Sequence, residues 1–168
     1  MKKVSLLYFL TCLVFVTGFA QNNLRKALVH ADSVVLVSHL TTYVRISSED
    51  GKAGAARHIV TNGAPDYSII KESFRLTVPE TDSLFKLLTA PNTDSEYDDI
   101  MCFMPHHAVL IFKKGKCSFL DICLGCQKIT GSPDVLFKYH ISQQGWKDLT
   151  AFFAQRNLTY GLDLHEID

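Results

Sequence analysis

Apolar residues recur at helical spacing in three stretches of the chain. Residues 22–31 form the first of these, and the second follows Thr77-Val78-Pro79-Glu80, which has the form of a capping box. The third runs from Ser142 to Gln155, with its aromatic and leucine side chains on one side. Pro91 is predicted to end the second helix, and Asn157 to close the third in a left-handed conformation. The pattern therefore predicts three helices.

Other stretches alternate apolar and polar residues, or are short and rich in β-branched residues, as is typical of strands. The predicted strands are Ser33 to Ser38, Thr41 to Ser47, Tyr67 to Thr77, His107 to Phe112, Cys117 to Leu124 and Val135 to Ile141. Asn62-Gly63 is a turn signal. Because strands and helices are mixed without regular alternation, the sequence predicts an α+β fold with about three helices on an antiparallel sheet.

The N-terminus has the pattern of a secretory signal peptide. Lys2 and Lys3 precede an apolar run from Val4 to Val16, and Gly18-Phe19-Ala20 supplies small residues before Gln21. We therefore predict a signal peptide over 1–20 and a single domain over 21–168, exported to the periplasm or secreted. An uncleaved membrane anchor and lipidation at Cys12 are the alternatives. No other stretch is long and apolar enough to span a bilayer, so no transmembrane segment is expected after cleavage.

The charge balance excludes some functions. The chain has 17 basic and 17 acidic residues, and cleavage removes two lysines, which leaves 15 against 17 and a net charge of −2 with histidines neutral. No basic run is present, so a nucleic-acid partner is not expected, and the bulk charge does not call for an acidic membrane surface. The acidic residues between 92 and 100 lack the glycine and distal glutamate of an EF-hand loop and are predicted to form a solvated loop.

A tight turn at Lys114-Gly115 would fold the chain into a hairpin and fix its register. Ala108 then faces Asp121, and His106 faces Cys123. The core face of this hairpin is predicted to be almost purely apolar, with Val109, Ile111, Leu120 and Ile122.

This hairpin would gather the residues that carry chemistry at its open end. Cys102 lies four residues before His106, and Cys126 lies three after Cys123. The predicted set is therefore Cys102, His106, Cys123 and Cys126, with His107 and Asp121 beside it. A register slip of one residue would replace His106 by His107.

The segment from Cys102 through Pro105-His106-His107-Ala108, followed by Ile122-Cys123-Leu124-Gly125-Cys126, resembles a pattern in uncharacterised exported bacterial proteins. The resemblance covers the C-terminal half of the chain and extends into the Asn157-Leu158-Thr159-Tyr160-Gly161 tail. Cys117 does not belong to this pattern. Because that family has no assigned activity, the resemblance supports the importance of the cluster without implying a function.

Three chemistries fit the cluster. The first is a structural disulfide, either from Cys102 to Cys123 or Cys126, or locally between Cys123 and Cys126, since export places cysteines in an oxidising compartment. The second is a Cys3His zinc site. The third is redox chemistry at the Cys-x2-Cys pair, where a nearby histidine would favour a thiolate. Asp121 is either an ordinary residue of the sheet surface or a partner for His106.

The sequence favours a non-enzymatic, exported binding or envelope-associated module that this cluster stabilises. The alternative is a thiol oxidoreductase or a metal-handling protein that uses Cys123 and Cys126. Cys117 is predicted to be a free, partly buried thiol. Ordinary surface or core roles are predicted for the scattered histidines, which are His30, His39, His58, His140 and His165.

Overall fold

A computed structural model describes residues 23–42, 58–92 and 103–162. The helices are α1 (residues 23–29), α2 (Val78–Thr89) and α3 (Gln143–Ala154). The strands are β1 (Ser33–His39), β2 (Val60–Thr61), β3 (Ala64–Pro65), β4 (Ile70–Arg75), β5 (His107–Lys113), β6 (Lys116–Cys123) and β7 (Lys128–Gly131). These elements confirm the predicted α+β fold with an antiparallel sheet and three helices.

Five strands form one antiparallel sheet in the order β4-β1-β5-β6-β7. The sheet centre is the β5–β6 hairpin together with β1, which pairs Leu36 with Val109 and Val37 with Ala108. Paired residues of the central strands β1 and β5 are 69 or more positions apart in the chain, as for Ser38 and His107, so the fold depends on long-range contacts. Both strands carry β-branched and leucine side chains that suit a sheet buried on two faces.

The main core lies between the helices and one face of the sheet. The four hairpin residues predicted to face the core are all buried there, as are Leu36 of β1 and Phe153 of α3. The predicted core face of the hairpin is therefore confirmed.

The ends of the helices follow the capping signals in the sequence. At the start of α2, the Thr77 backbone N–H and hydroxyl both donate to Glu80 Oε2, at 2.9 and 2.7 Å. The other carboxylate oxygen of Glu80 accepts from Arg156 at 3.1 Å, which ties α2 to the end of α3. The helix ends at its C-cap Ala90, directly before Pro91, and Asn157 after α3 has the predicted left-handed conformation, with φ 59°.

The opposite face of the sheet carries a second, smaller core. Ile59 and Ile69, which flank the short β2–β3 hairpin, pack with Ala108 and Leu110 of β5. The turn of that hairpin is Asn62-Gly63, with φ 53° and 77°, and the Gly63 carbonyl accepts from the Cys117 N–H at 2.8 Å. Because the β2–β3 hairpin and its flanking residues cover this face of the sheet, polar groups on the face are also buried.

One predicted strand is wrong. Residues 135–141 alternate between inward and exposed side chains as a strand would, but β7 already occupies the edge of β6, so the segment has no ladder to join. β7 itself was missed, because Lys128-Ile129-Thr130-Gly131 is short and only one of its residues is strongly apolar.

Some predictions lie outside the described residues. These are the signal peptide over 1–20, most of the strand from Thr41 to Ser47, the acidic loop before Cys102, and Cys102 itself. In the three ranges that the structure describes, none of the helices has the length and hydrophobicity to cross a bilayer.

Candidate functional site

The hairpin that organises the site turns at the predicted residues. Lys114 and Gly115 have φ values of 50° and 74°, as a two-residue turn of the type that matches strand twist requires. Ala108 pairs with Asp121, and Phe112 with Cys117. The register is therefore confirmed over the whole of β5.

Cys123 and Cys126 form the local disulfide among the pairings left open by the sequence. Their Cα atoms lie 5.2 Å apart across the turn from β6 to β7, within the usual range for a disulfide. The Cys126 backbone N–H also donates to Cys123 Sγ at 3.1 Å. Both residues are buried, with exposed fractions of 4% and 5%. The bridge therefore closes the tight turn between β6 and β7.

Cys117 is a free, buried thiol, as predicted. Burial raises its pKa to about 11, so it stays protonated and unreactive at neutral pH.

The disulfide turn contacts the start of α3 and borders a groove. Gln127, directly after the bridge, exchanges two hydrogen bonds of 2.9 Å with Gln143, the first residue of α3. The groove beside it has a volume of about 540 Å³, and Phe137, Tyr139 and Trp146 are among its lining residues. Because Trp146 is the only tryptophan in the chain, its fluorescence reports on this region.

We expect reduction of the disulfide to lower the free energy of unfolding by about 2 kcal/mol, since the bridge closes only a short loop. Urea unfolding followed by Trp146 fluorescence, with and without dithiothreitol, measures this difference. The double variant Cys123→Ser/Cys126→Ser should resemble the reduced protein and ignore the reductant. Cys117→Ala is the matched control and should keep the full response. A wild-type protein indifferent to reductant would contradict the assignment.

A buried histidine–aspartate pair lies beside the disulfide turn, on the sheet face that carries the second core. His39, at the end of β1, places Nε2 3.1 Å from Asp121 Oδ1. His39 of β1 and Asp121 of β6 lie on either side of the central strand β5. Ala108 of β5, which has a small side chain, pairs with Val37 on one side and with Asp121 on the other. Thr42 donates a longer hydrogen bond of 3.4 Å to the other carboxylate oxygen.

The contacts of His39 indicate which of its atoms carry protons. Its Nδ1 lies 2.8 Å from the Leu40 carbonyl oxygen, which can only accept, so Nδ1 carries a proton. Nε2 faces a carboxylate, which also only accepts when it is ionised. Both ring nitrogens of the fully buried His39 are therefore satisfied, Nδ1 by the Leu40 carbonyl and Nε2 by the Asp121 carboxyl group.

His106 lies one residue before β5 and beneath the C-terminal tail. Its Nδ1 lies 3.2 Å from the His39 carbonyl oxygen, and its ring meets the edge of Tyr160 at 6.0 Å between centroids. Burial lowers the pKa of His106, and the charge of His39 acts in the same direction, against the carbonyl contact and Asp121. His106 is therefore neutral at pH 7.

His107 points to the other face of the sheet and packs against α3. Its ring lies 5.0 Å from the ring of Phe153, and its Nε2 has no partner among the described residues. Burial and the charges of His39 and His106 lower its pKa to about 4, although a hydrogen bond to the Leu158 backbone opposes this shift. His106 and His107 therefore belong to two different environments.

The segment of residues 157–162, here called the C-terminal strap, folds back over these histidines. Glu72 of β4 accepts from the Ser38 hydroxyl at 2.6 Å, the Thr159 hydroxyl at 3.2 Å and the Tyr160 N–H at 3.0 Å. Gly161, with φ 84°, lies so close to His106 that an added Cβ would come within 2.5 Å of the His106 Cβ. Burial alone would raise the pKa of Glu72, but these hydrogen bonds outweigh it and lower the pKa.

We expect Glu72→Gln to destabilise the protein by about 1–2 kcal/mol, because the amide offers one acceptor where the carboxylate offers two and carries no charge. Hydrogen exchange at the Tyr160 amide should accelerate in the same variant. Glu80→Gln is the matched control, because the Glu80 carboxylate also accepts three hydrogen bonds. This variant should leave the Tyr160 amide protected from hydrogen exchange. An unchanged Tyr160 exchange rate in Glu72→Gln would show that Glu72 does not hold the strap.

The structure brings together only part of the predicted metal set. Within the described ranges, no three histidine, cysteine or acidic side chains converge in a geometry that could hold a metal ion. Cys102 lies outside those ranges, so the four-ligand zinc set stays a prediction. Because Cys123 and Cys126 are bonded to each other, both would have to be reduced before they served as thiolate ligands.

Comparison with protein-family models, curated proteins and solved structures finds no match to this chain. The site is therefore interpreted from its own geometry. The sequence does not indicate His39 as a residue of the site, since it predicts only an ordinary surface or core role for this histidine. The signal that identifies it is the antiparallel pairing of β1 with β5, which places His39 beside His106.

Proposed function

We propose that this protein is an exported binding or envelope-associated module in which the Cys123–Cys126 disulfide and the polar cluster beside it are structural. The observation that carries the structural role is burial. Both half-cystines are at least nine-tenths inaccessible, and a disulfide exchanges only when a thiolate reaches one of its sulfur atoms. The predicted export supports the same proposal, because an oxidising compartment preserves such a bridge.

The ionisable groups nearest the disulfide also suit a structural role. His39 and Asp121 satisfy each other, and His107 is buried and neutral. A general acid or base must reach its substrate, and neither His39 nor His107 is exposed.

A thiol oxidoreductase is the second candidate, and one observation favours it. The Cys126 N–H donates to Cys123 Sγ, a contact that would stabilise a thiolate at Cys123 after reduction. The pair nevertheless lies in a turn between two strands, and neither cysteine belongs to the first turn of a helix, the position that activates a thiol in Cys-x2-Cys oxidoreductases.

An insulin-reduction assay with dithiothreitol separates the two candidates. A structural disulfide predicts that the wild-type protein and Cys123→Ser/Cys126→Ser are equally inactive, and that metal analysis of the purified protein finds no zinc. Catalysis by the wild-type protein that is lost in the double variant would instead establish the oxidoreductase.

The proposed export has its own test. N-terminal sequencing of the protein recovered from the host envelope should begin at Gln21. Recovery of the protein from the cytoplasm with residues 1–20 retained would contradict export.

A further inference from the structure

A groove at the tip of the β5–β6 hairpin concentrates positive charge on a chain with no net charge. The groove has a volume of about 500 Å³ and lies between α1 and the hairpin. Lys26, Lys113, Lys114 and Lys116 line it, and Asp134 is the one acidic residue among the described residues that line it. Asp32 adds a second carboxylate at the hairpin tip, where it accepts from the Lys114 backbone N–H, so four lysines against two aspartates give a formal local balance of +2.

The arrangement of these lysines opposes stability. Lys113 and Lys116 face each other directly in register, and like charges in that position repel. Lys114 occupies a left-handed position, with φ 50°, where asparagine, aspartate or glycine is preferred. A hairpin tip selected only for folding would not carry this set, so the charge points to a ligand.

The lysines are also available to a ligand. All four are exposed, and no ion pair found within the described residues involves their side chains. Two carboxylates are held at the groove by hydrogen bonds to its lining residues: Asp134 accepts from the Ser118 hydroxyl, and Asp32 accepts from the Lys114 backbone N–H at 2.6 Å. The four lysines still outnumber them.

We propose that this groove binds the phosphate headgroups of an anionic lipid surface, a proposal that rests on the envelope association proposed above. Among the residues that the structure describes, lysine supplies the positive charge of the groove, and no arginine, whose planar fork suits bidentate recognition of a single phosphate, lines it. Flexible ammonium groups suit a diffuse layer of negative headgroups.

Vesicle sedimentation of the protein as purified from its host tests the proposal. The probes are vesicles of phosphatidylglycerol and phosphatidylcholine in equal parts, and vesicles of phosphatidylcholine alone, which report any binding that does not depend on negative headgroup charge. We expect Lys113→Gln/Lys116→Gln to weaken binding to the mixed vesicles about 25-fold, or about fivefold per lysine. The matched control, Lys71→Gln/Lys147→Gln, removes the same charge from exposed positions outside the groove and should bind like the wild type.

Three outcomes would overturn the proposal. They are equal wild-type binding to both vesicle types, equal loss in both double variants, and binding of glycerol phosphate that depends on Lys113 and Lys116 without binding to mixed vesicles. The last outcome would identify a soluble phosphate ester as the ligand. None of these results affects the insulin assay or the thiol measurements, so failure here is distinguishable from failure of the proposed structural role of the disulfide.

Discussion

Asp121→Ala is expected to lower the free energy of unfolding by about 3 kcal/mol, measured by urea denaturation at pH 7. The substitution leaves the fully buried Nε2 of His39 without its partner, and breaking a buried pair by deleting one member costs about 3–5 kcal/mol. The lower end applies because the contact of His39 Nδ1 with the Leu40 carbonyl survives the substitution.

Asp121→Asn is the matched control. The amide has nearly the same shape, and its NH2 group can donate to the lone pair of a neutral His39 Nε2, so the loss should be about 1 kcal/mol. In Asp121→Ala/His39→Leu the two losses should not add, because the substitutions remove one shared interaction. Additive losses, or a cost below about 0.5 kcal/mol for Asp121→Ala, would show that the His39–Asp121 pair contributes nothing to stability.

The second large effect is a loss of stability of about 3 kcal/mol as the pH falls from 6.5 to 4. His107 has a folded-state pKa of about 4, against an ordinary value of 6.5. In that window the unfolded chain binds a proton at His107 and the native protein does not, so acidification favours unfolding. The difference between these two pKa values corresponds to about 3 kcal/mol. Most of this stability is lost by pH 4, and the loss is complete below pH 4, where native His107 is protonated as well.

The variant His107→Phe isolates this contribution, since it keeps an aromatic ring against Phe153 and removes the titrating group. Its unfolding free energy, followed by urea denaturation at intervals between pH 6.5 and 4, should have a clearly flatter pH dependence than the wild type. A shallower slope should remain, because the pKa of His106 is also lowered. Glu72, Glu80 and Asp134 have lowered pKa values too, and their contributions are lost as the pH falls through those folded-state values. An identical slope in His107→Phe and the wild type would refute the buried neutral state of His107.

Local signals were sufficient to predict much of this fold. The capping box at Thr77 and Glu80, the serine before α3 and the turn at Lys114-Gly115 act over a few residues, and each lies where the sequence placed it. The turn then determined the pairing and the faces of β5 and β6, because side chains alternate along a strand. The same register also determines which side chains of the hairpin face the core.

The remainder depends on contacts between distant parts of the chain. The pairing of β1 with β5 decides that Asp121 binds His39 rather than His106, and no short-range pattern encodes that pairing. Residues 135–141 are a second example. Their side chains do alternate as in a strand, but β7 already occupies the edge of β6 with which this segment would have to pair. The strap depends on Glu72, which is 87 residues from Thr159 in the chain.

The most direct test of the structural role of the disulfide is alkylation of the native protein with N-ethylmaleimide, followed by peptide mass spectrometry without reduction. In the folded protein, Cys123 and Cys126 should remain linked and unmodified. Cys117 should be modified only after unfolding. The disulfide pair should react only when a reductant is added to the unfolded chain. Rapid modification of Cys123 or Cys126 in the folded protein would contradict the structural role of the disulfide.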